Sequence, residues 1–390
     1  MQSFLTCDIT RSKVLSRILL NKVFGLLTLG FYRFWGKTHL RRLIWQAVGI
    51  NGDRLTYHGT AKELFVGFLL ALLVMTVLLG LVGGALKFAT ISAPELIGIE
   101  QLLNIVFLAA FWQFARYRLW RYRLSRTSYR TVRFFQKGSA LAYTGKVMLW
   151  GIISVITLGW AYPKMRAVQA DYQLNNMAFG NQTFEYRGET RAFYSIYWPF
   201  ILFLNVMFWG GNILNFATDI FTDIAAVGAT VKIDSPDAVR YFIGFLILMF
   251  AVAGILYVSA KVKEFNYKVG QTKFLNAHFA ANIPVLNVLK IGSLMGIINI
   301  LFLVLIFVLA YVGFVGGVEA IQVYLVIGFI AYFLLVDAIK YLFLFIPMLK
   351  LACRSIAIDN VDVFGEVAAS THEAPSYGEG IADALDVGAF

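Results

Sequence analysis

Six long apolar stretches constrain this chain more than any other feature of its sequence. Each holds roughly 20 residues with few charges, the length that an α-helix needs to cross a bilayer. A soluble surface could not absorb the apolar excess, since 59% of the 390 residues are hydrophobic and 14% are charged. The sequence therefore predicts an all-α polytopic membrane protein. The predicted spans are about 64–86, 96–115, 193–214, 239–260, 284–312 and 318–346.

Two further segments, 14–35 and 139–162, contain apolar runs too short to count as clear spans. The first run lies between Lys22 and Arg33, and the second between Lys146 and Lys164. Apolar runs of this length are more often interfacial or re-entrant than membrane-spanning. We therefore predict that both segments are re-entrant, entering the membrane and returning to the same side, or that they lie in the interface as amphipathic helices.

The charge of the connectors predicts the orientation. Four connectors that fall on one side carry 21 basic residues, whereas those on the other side carry two. Because Lys and Arg collect on the cytoplasmic side of membrane proteins, we expect the basic connectors and both termini there. An eight-span arrangement, in which 14–35 and 139–162 both cross, stays open. The basic connectors are 36–63, 116–137, 163–192 and 261–282.

One pattern occurs twice in the chain. Leu26–Gly30 matches Val155–Gly159, and 27 residues after each glycine a Tyr-x-Gly motif begins, at Tyr57 and Tyr186. This indicates an internal duplication whose two parallel units are related by an axis along the membrane normal. The predicted units are 1–137, 138–282, a degraded third copy of two helices at 283–355, and an acidic, disordered cytoplasmic tail at 356–390.

Several motifs resemble those of the YjgN-like family of bacterial inner-membrane proteins. They are Leu29–Thr38, Tyr57–Thr60 with Glu63–Phe65, and Tyr122–Arg123 with Arg126–Arg130 and Arg133–Phe134. The resemblance extends to about residue 355 and implies a bacterial inner-membrane location. It implies no activity or ligand, because the family is a domain of unknown function.

Polar residues inside or beside the predicted spans are the candidate pore or ligand residues, because unpaired polar groups are costly in hydrocarbon. The first four below recur at helical spacing, so they would share one face of the third span. The last two are three residues apart and can pair with each other. The alternative is structural: helix packing through asparagine hydrogen bonds, and an internal ion pair. The candidates are Asn205, Asn212, Asp219, Asp223, Asn299, Asp337 and Lys340.

The segment 116–137 is the most basic part of the chain. On a helix its cations would form a stripe that binds anionic headgroups, at about 1 kcal/mol per contacting charge. Its interleaved aromatic residues could also stack on nucleic acid, but no nucleic-acid-binding module accompanies them, so we expect no such partner. The expected lipid contacts are Arg116, Arg123, Arg126, Arg130, Arg133 and Lys137.

The sequence carries no motif of an enzyme or of a metal site. It has no P-loop, nucleophile elbow or zinc-binding pair of histidines, and its two cysteines lie near opposite ends. We therefore expect no catalytic residue, cofactor or metal. The leading hypothesis is a transporter or channel-like protein for a small polar or cationic solute or a lipid. The alternative is a non-catalytic scaffold that organises lipid or partner proteins through 116–137.

Overall fold

Helices make up most of the chain. The computed structural model describes residues 5–93, 97–225, 236–315 and 318–368. A π-helical segment, Lys340–Phe345, joins the last two helices of this part of the chain. The α-helices are α1 Arg11–Leu27, α2 Arg33–Ala47, α3 Ala61–Ser92, α4 Ile97–Ser125, α5 Ala140–Ile156, α6 Tyr162–Asn175, α7 Thr190–Ala225, α8 Pro236–Gly270, α9 Val285–Val315, α10 Val318–Ile339 and α11 Ile346–Ser355.

Six helical segments among the described residues are long and apolar enough to cross a membrane. At most 17% of the most apolar part of any of them is buried inside the protein. Their side chains therefore face outward, where lipid would surround them. This confirms the predicted polytopic, mainly helical architecture. The segments are Ala61–Phe88, Ile97–Ser125, Thr190–Gly210, Gly244–Gly270, Val285–Val312 and Gln322–Ser355.

The two short apolar segments each form part of a helical hairpin, α1–α2 and α5–α6. Leu29 and Gly30 turn the first with φ of 51° and 90°, and Leu158 and Gly159 turn the second with 50° and 92°. Glycine adopts such angles without a steric penalty, which explains its position in both turns. The preceding threonine hydroxyl donates to a carbonyl four residues back and accepts an N–H four residues ahead in both turns. The sequence match of the two turns thus extends to their geometry.

The connectors fold into short antiparallel strands, which we call the strand hub. They pair in the orders β1-β2-β3, β4-β5-β6-β7-β8 and β9-β10-β11-β12, and β12 contacts β1. Every helical hairpin among the described residues therefore leaves the hub and returns to it. The strands are β1 Leu5–Cys7, β2 Val48–Ile50, β3 Asp53–Arg54, β4 Thr56–Tyr57, β5 Thr127–Tyr129, β6 Val132–Gln136, β7 Met177–Phe179, β8 Gln182–Thr183, β9 Glu185–Tyr186, β10 Thr272–Phe274, β11 Ala277–Ala281 and β12 Ile356–Asp359.

The hub has an aromatic core that the end of the described chain completes. Phe364, in the 3-10 helix Val361–Gly365, stacks on Phe274 with ring centroids 4.9 Å apart and meets Phe179 edge-on. The prediction of a disordered tail from residue 356 is thus wrong for 356–368. The overall acidic composition of 356–390 predicts disorder, but its first part contains apolar residues, Val361 and Phe364 among them, that are buried against the hub. Residues 369–390 lie outside the described part.

The helices contact one another in chain order. Each of α1 to α9 packs on the next helix, and α10 packs back on α1. The contacts therefore close into a ring in which the short hairpins stand between longer helices. Hairpin α5–α6 separates α4 from α7, and hairpin α1–α2 separates α10 from α3.

Candidate functional site: a cation cluster around Glu264

The buried carboxylate of Glu264 lies near the end of α8 that we predict to face the cytoplasm. Its side chain is 2% exposed. Arg166 of α6 donates to both carboxylate oxygens, from Nη2 to Oε1 at 2.6 Å and from Nε to Oε2 at 3.2 Å. The Tyr197 hydroxyl of α7 also donates to Oε2. A carboxylate with this many donors is satisfied despite its burial.

Two lysines of α8 complete the contacts of Glu264. Lys268 Nζ lies 2.9 Å from Oε1, and Lys261 Nζ lies 3.6 Å from Oε2. Lys261 Nζ is also within 5.2–5.8 Å of three tyrosine ring centroids, those of Tyr162, Tyr197 and Tyr257. Such distances permit cation–π attraction, which helps to hold a half-buried ammonium group.

Local sequence explains how these groups meet. Lys261 and Lys268 precede and follow Glu264 by three and four residues, so all three share one face of α8. Ala167 of α6 and Ala260 of α8 both belong to the core around Tyr197 of α7, so only small side chains lie there between α6 and α8. The arginine of α6 can therefore reach the carboxylate of α8.

The cluster holds more positive than negative charge. Arg166, Lys261 and Lys268 surround one carboxylate, an excess of two positive charges to which Arg116 adds a third. Arg116 of α4 lies within electrostatic range of both lysines. Its Nη2 donates to the Tyr143 hydroxyl at 2.7 Å, whereas its buried Nε has no hydrogen-bond partner in the described part of the chain. We call Arg116, Arg166, Lys261, Glu264 and Lys268 the cation cluster.

The pKa values of two α6 side chains, Arg166 and Tyr162, are raised in this environment. Burial disfavours the charged form of Arg166, but the Glu264 carboxylate prevails and raises the pKa of Arg166 above its usual value. Burial raises the pKa of Tyr162 to about 12, so its hydroxyl stays protonated at neutral pH. The arrangement can bind an anion. The described residues, those of the cluster included, contain no group of three His, Cys, Asp or Glu side chains that could hold a metal ion.

The predicted asparagines of the spans mostly bond to backbone. Asn205 Nδ2 donates to the Leu158 carbonyl at 3.1 Å, in the turn of α5–α6, and also to its own helix. Asn212 and Asn299 donate to the carbonyls four residues back, at 2.6 and 2.8 Å. Asp219 and Asp223 fall in α7, and their side chains lie outside the described part.

Asp337 forms an ion pair with the first hairpin. Its Oδ2 lies 2.7 Å from Lys22 Nζ of α1, and Lys22 also donates to the Phe333 carbonyl at 3.0 Å. Lys340 begins the π-helical segment three residues later. Asn205 and Asp337 therefore each link a membrane helix to a different short hairpin.

The basic segment 116–137 does not form one helical stripe, so that prediction is wrong. Helix α4 ends at Ser125, because the β-branched and aromatic residues that follow form β5 and β6. Arg126 pairs with Glu63 at 3.0 Å, and Arg130 pairs with Asp53. Arg116 belongs to the cation cluster, and Arg123 is half-buried. Arg133 and Lys137 are exposed on and beside β6.

Sequence reasoning overlooked Glu264 and Arg166, although a signal was present. Glu264 is the one acid in the connector 261–282, and lysines flank it at helical spacing on both sides. In the sequence these lysines are evidence only of which side of the membrane the connector faces. Nothing local in the sequence pointed to Arg166 as their partner, since 98 residues separate it from Glu264.

The fold and the cluster together define a multi-pass membrane protein whose helical hairpins extend from a strand hub. The chain belongs to the family of bacterial proteins of unknown function DUF898, the YjgN-like family, whose model matches residues 11–384. The match confirms the resemblance seen in the motifs. Neither a curated protein nor a solved structure matches the chain.

Proposed function

We propose that this protein binds the anionic headgroup of a lipid in its cation cluster and moves that lipid through the membrane. The observation that carries the proposal is the excess of positive charge around one buried carboxylate. Buried charge is costly unless it is paired, and phosphate oxygens accept charge-assisted hydrogen bonds from Arg and Lys. The same excess disfavours a cationic solute, which the sequence alone had left open.

The unequal helix lengths support a route for lipid. Helices α1 and α5 contain 17 residues each, whereas α3 and α7 contain 32 and 36. At 1.5 Å per residue, helices of about 25 Å stand beside helices of about 50 Å. We propose that lipid enters the ring above the tips of the short hairpins, where Asn205 and the Lys22–Asp337 pair lie.

We also propose an orientation of the protein in the membrane and an internal duplication of its chain. The strand hub would face the cytoplasm, together with both termini, because the basic connectors form it. The hairpins would dip into the inner leaflet and return. The exposed apolar side chains at their tips, such as Leu29 at 92%, favour contact with lipid. The matching turns support an internal duplication.

Lipid translocation by the purified protein tests the function. The full chain is reconstituted into vesicles of phosphatidylcholine and phosphatidylglycerol, and the flipping of fluorescent phosphatidylglycerol is followed by quenching with dithionite. We expect Lys268→Gln to slow flipping about fivefold, because one headgroup contact contributes about 1 kcal/mol. Lys263→Gln, which removes an exposed cation from the same helix, is the matched control. Equal rates in the two variants would contradict the proposal.

The exposed cations of β6 favour a second candidate, a scaffold that binds anionic membranes without moving lipid. Arg133 and Lys137 are exposed, so they are available to headgroups. This candidate predicts that charge reversal at both positions abolishes association with phosphatidylglycerol, and that wild-type vesicles show no flipping.

A further inference from the structure

A second cation-lined cavity lies far along the chain from the cation cluster. It encloses about 390 Å³ between the start of α1, the second half of α2 and the sheet β1-β2-β3. We call it the α1 cavity. Its titratable lining residues are Asp8, Lys13, Arg17, His39, Arg42 and Arg54.

The charges of the α1 cavity are unbalanced. Asp8 is the one acid of its lining, and it pairs with Arg54 at 3.3 Å. Arg42 donates to the Gly59 carbonyl at 3.1 Å. The side chains of Lys13 and Arg17 make no hydrogen bond or ion pair with the rest of the described chain. Two cations therefore remain available to an anion.

The N-terminus of α1 and the side chain of His39 also favour binding of an anion in the cavity. Helix α1 begins beside it after Thr10, whose side chain caps no N–H group, and the first turn contains no acid. No side chain of the cap or the first turn therefore compensates the positive end of the helix dipole. His39 also lines the cavity, and its buried Nδ1 has no hydrogen-bond partner among the described residues.

We infer that the α1 cavity binds a phosphate group, carried by a soluble phosphorylated compound or by a lipid headgroup. Arg and Lys are the side chains that recognise phosphate, and helix N-termini reinforce them. The volume falls within the range of small-molecule sites, so it accommodates more than a bare phosphate ion. The apolar lining residues Ile9, Leu43 and Ala47 can contact the remainder of the ligand.

The site belongs to the first hairpin and not to the second. At the matching positions, 129 residues later, the second unit keeps one of the four cations of the lining, replaces another with an acid, and has Lys137 where the first unit has Asp8. Lys13, Arg17, His39, Arg42 and Arg54 correspond to Ala142, Lys146, Val168, Asp171 and Thr183. The two hairpins therefore differ in ligand while they share a turn.

Calorimetric titration with pyrophosphate tests the inference. The full chain is placed in nanodiscs of phosphatidylcholine, which offer no anionic lipid. We expect Arg17→Gln to weaken pyrophosphate binding about tenfold or more, because a charged hydrogen-bond donor is lost. Arg11→Gln removes an exposed cation outside the cavity from the same helix, so it should change affinity less than about twofold.

Nanodiscs that also contain phosphatidylglycerol identify the source of the phosphate. Competition by this lipid indicates a headgroup site, whereas unchanged pyrophosphate binding indicates a soluble ligand. Absence of binding to the wild type in phosphatidylcholine, or equal losses in the two arginine variants, would overturn the inference. So would binding that Lys268→Gln abolishes and Arg17→Gln leaves intact, because the cation cluster would then be the site. Failure of lipid flipping alone would leave the α1 cavity unaffected.

Discussion

Glu264 is the residue on which three cations and a tyrosine hydroxyl converge. Its role is electrostatic, since it keeps Arg166, Lys261 and Lys268 together in a half-buried space. Without the carboxylate, these cations would repel one another with little water to screen them. The excess charge that we assign to ligand binding is therefore tolerable only because Glu264 compensates part of it.

We expect Glu264→Gln to lower the free energy of unfolding by about 3–5 kcal/mol, because it leaves buried cations without their counter-charge. Equilibrium unfolding in mixed detergent micelles measures the change. Glu185→Gln is the control: its exposed carboxylate pairs with exposed Arg187, and it should cost less than about 1 kcal/mol. If the two variants are equally stable, Glu264 does not hold the cluster.

The repeated Tyr-x-Gly motif has a steric cause. The rings of Tyr57 and Tyr186 fold over Gly59 and Gly188, so that a Cβ at either glycine would collide with the tyrosine hydroxyl. Both tyrosines are 5% exposed. Glycine is needed there for space.

Gly188→Ala should therefore destabilise the protein by about 1–3 kcal/mol through overpacking. The same unfolding measurement checks this value. Gly145→Ala in α5, where nothing lies within 4 Å of the added carbon, should be neutral or stabilise by up to about 1 kcal/mol. An unaltered stability of Gly188→Ala would mean that the ring moves aside at no cost.

Among elements, the short hairpins show what the sequence could predict. Two adjacent basic connectors and a short apolar run predict that 139–162 returns to its own side; the structure shows the helical hairpin, and the return to one side stays a prediction. The matching turn positions also follow from residue type, because threonine and glycine are required at fixed places. The partners of the tips, Lys22 with Asp337 and Asn205 with Leu158, could not be predicted, since each joins distant parts of the chain.

Labelling of single cysteines tests the hairpin topology. In a background without the native cysteines, we expect Gly228→Cys to react with an impermeant maleimide added outside the cell, and Asp171→Cys to react only after lysis. Asp171 is exposed on α6, and position 228 lies outside the described residues. Reaction of Asp171→Cys in intact cells would instead support eight spans.

The segment 116–137 shows where a one-dimensional pattern misleads. Its cations recur every seven residues, a spacing that suggests one helical face. The chain nevertheless leaves the helix at Ser125, and the left-handed residues Arg130 and Thr131 turn it into a hairpin. Strand pairing with β4 and β7 decides the outcome, and those partners lie about 70 and 45 residues away.

At the scale of the whole molecule, the strand hub joins parts that the sequence keeps far apart. β1 contacts β12, and β1 also packs against α11. As a result Cys7 and Cys353 lie close enough for each thiol to influence the other. Burial raises the pKa of Cys7, which keeps it a thiol at neutral pH. Sequence reasoning noted only that the two cysteines lie near opposite ends.

This proximity gives a direct test of the contact between β1 and α11. We expect mild oxidation with copper phenanthroline to join Cys7 and Cys353 within one chain. After proteolysis between them, the two terminal fragments should then migrate together until a reductant is added. Cys353→Ser should abolish the link. Fragments that separate in the oxidised wild type would contradict the contact between β1 and α11.

The aromatic core of the hub has a consequence for biosynthesis. Phe364 and its neighbours leave the ribosome after every described helix has been made, yet they cover rings that belong to hairpins synthesised much earlier. Until they emerge, the rings of Phe179 and Phe274 lack the cover that Phe364 gives them. A chain that ends before Phe364 would keep these rings exposed. We therefore expect that cellular quality control can tell such a truncated chain from a finished one by its exposed apolar surface.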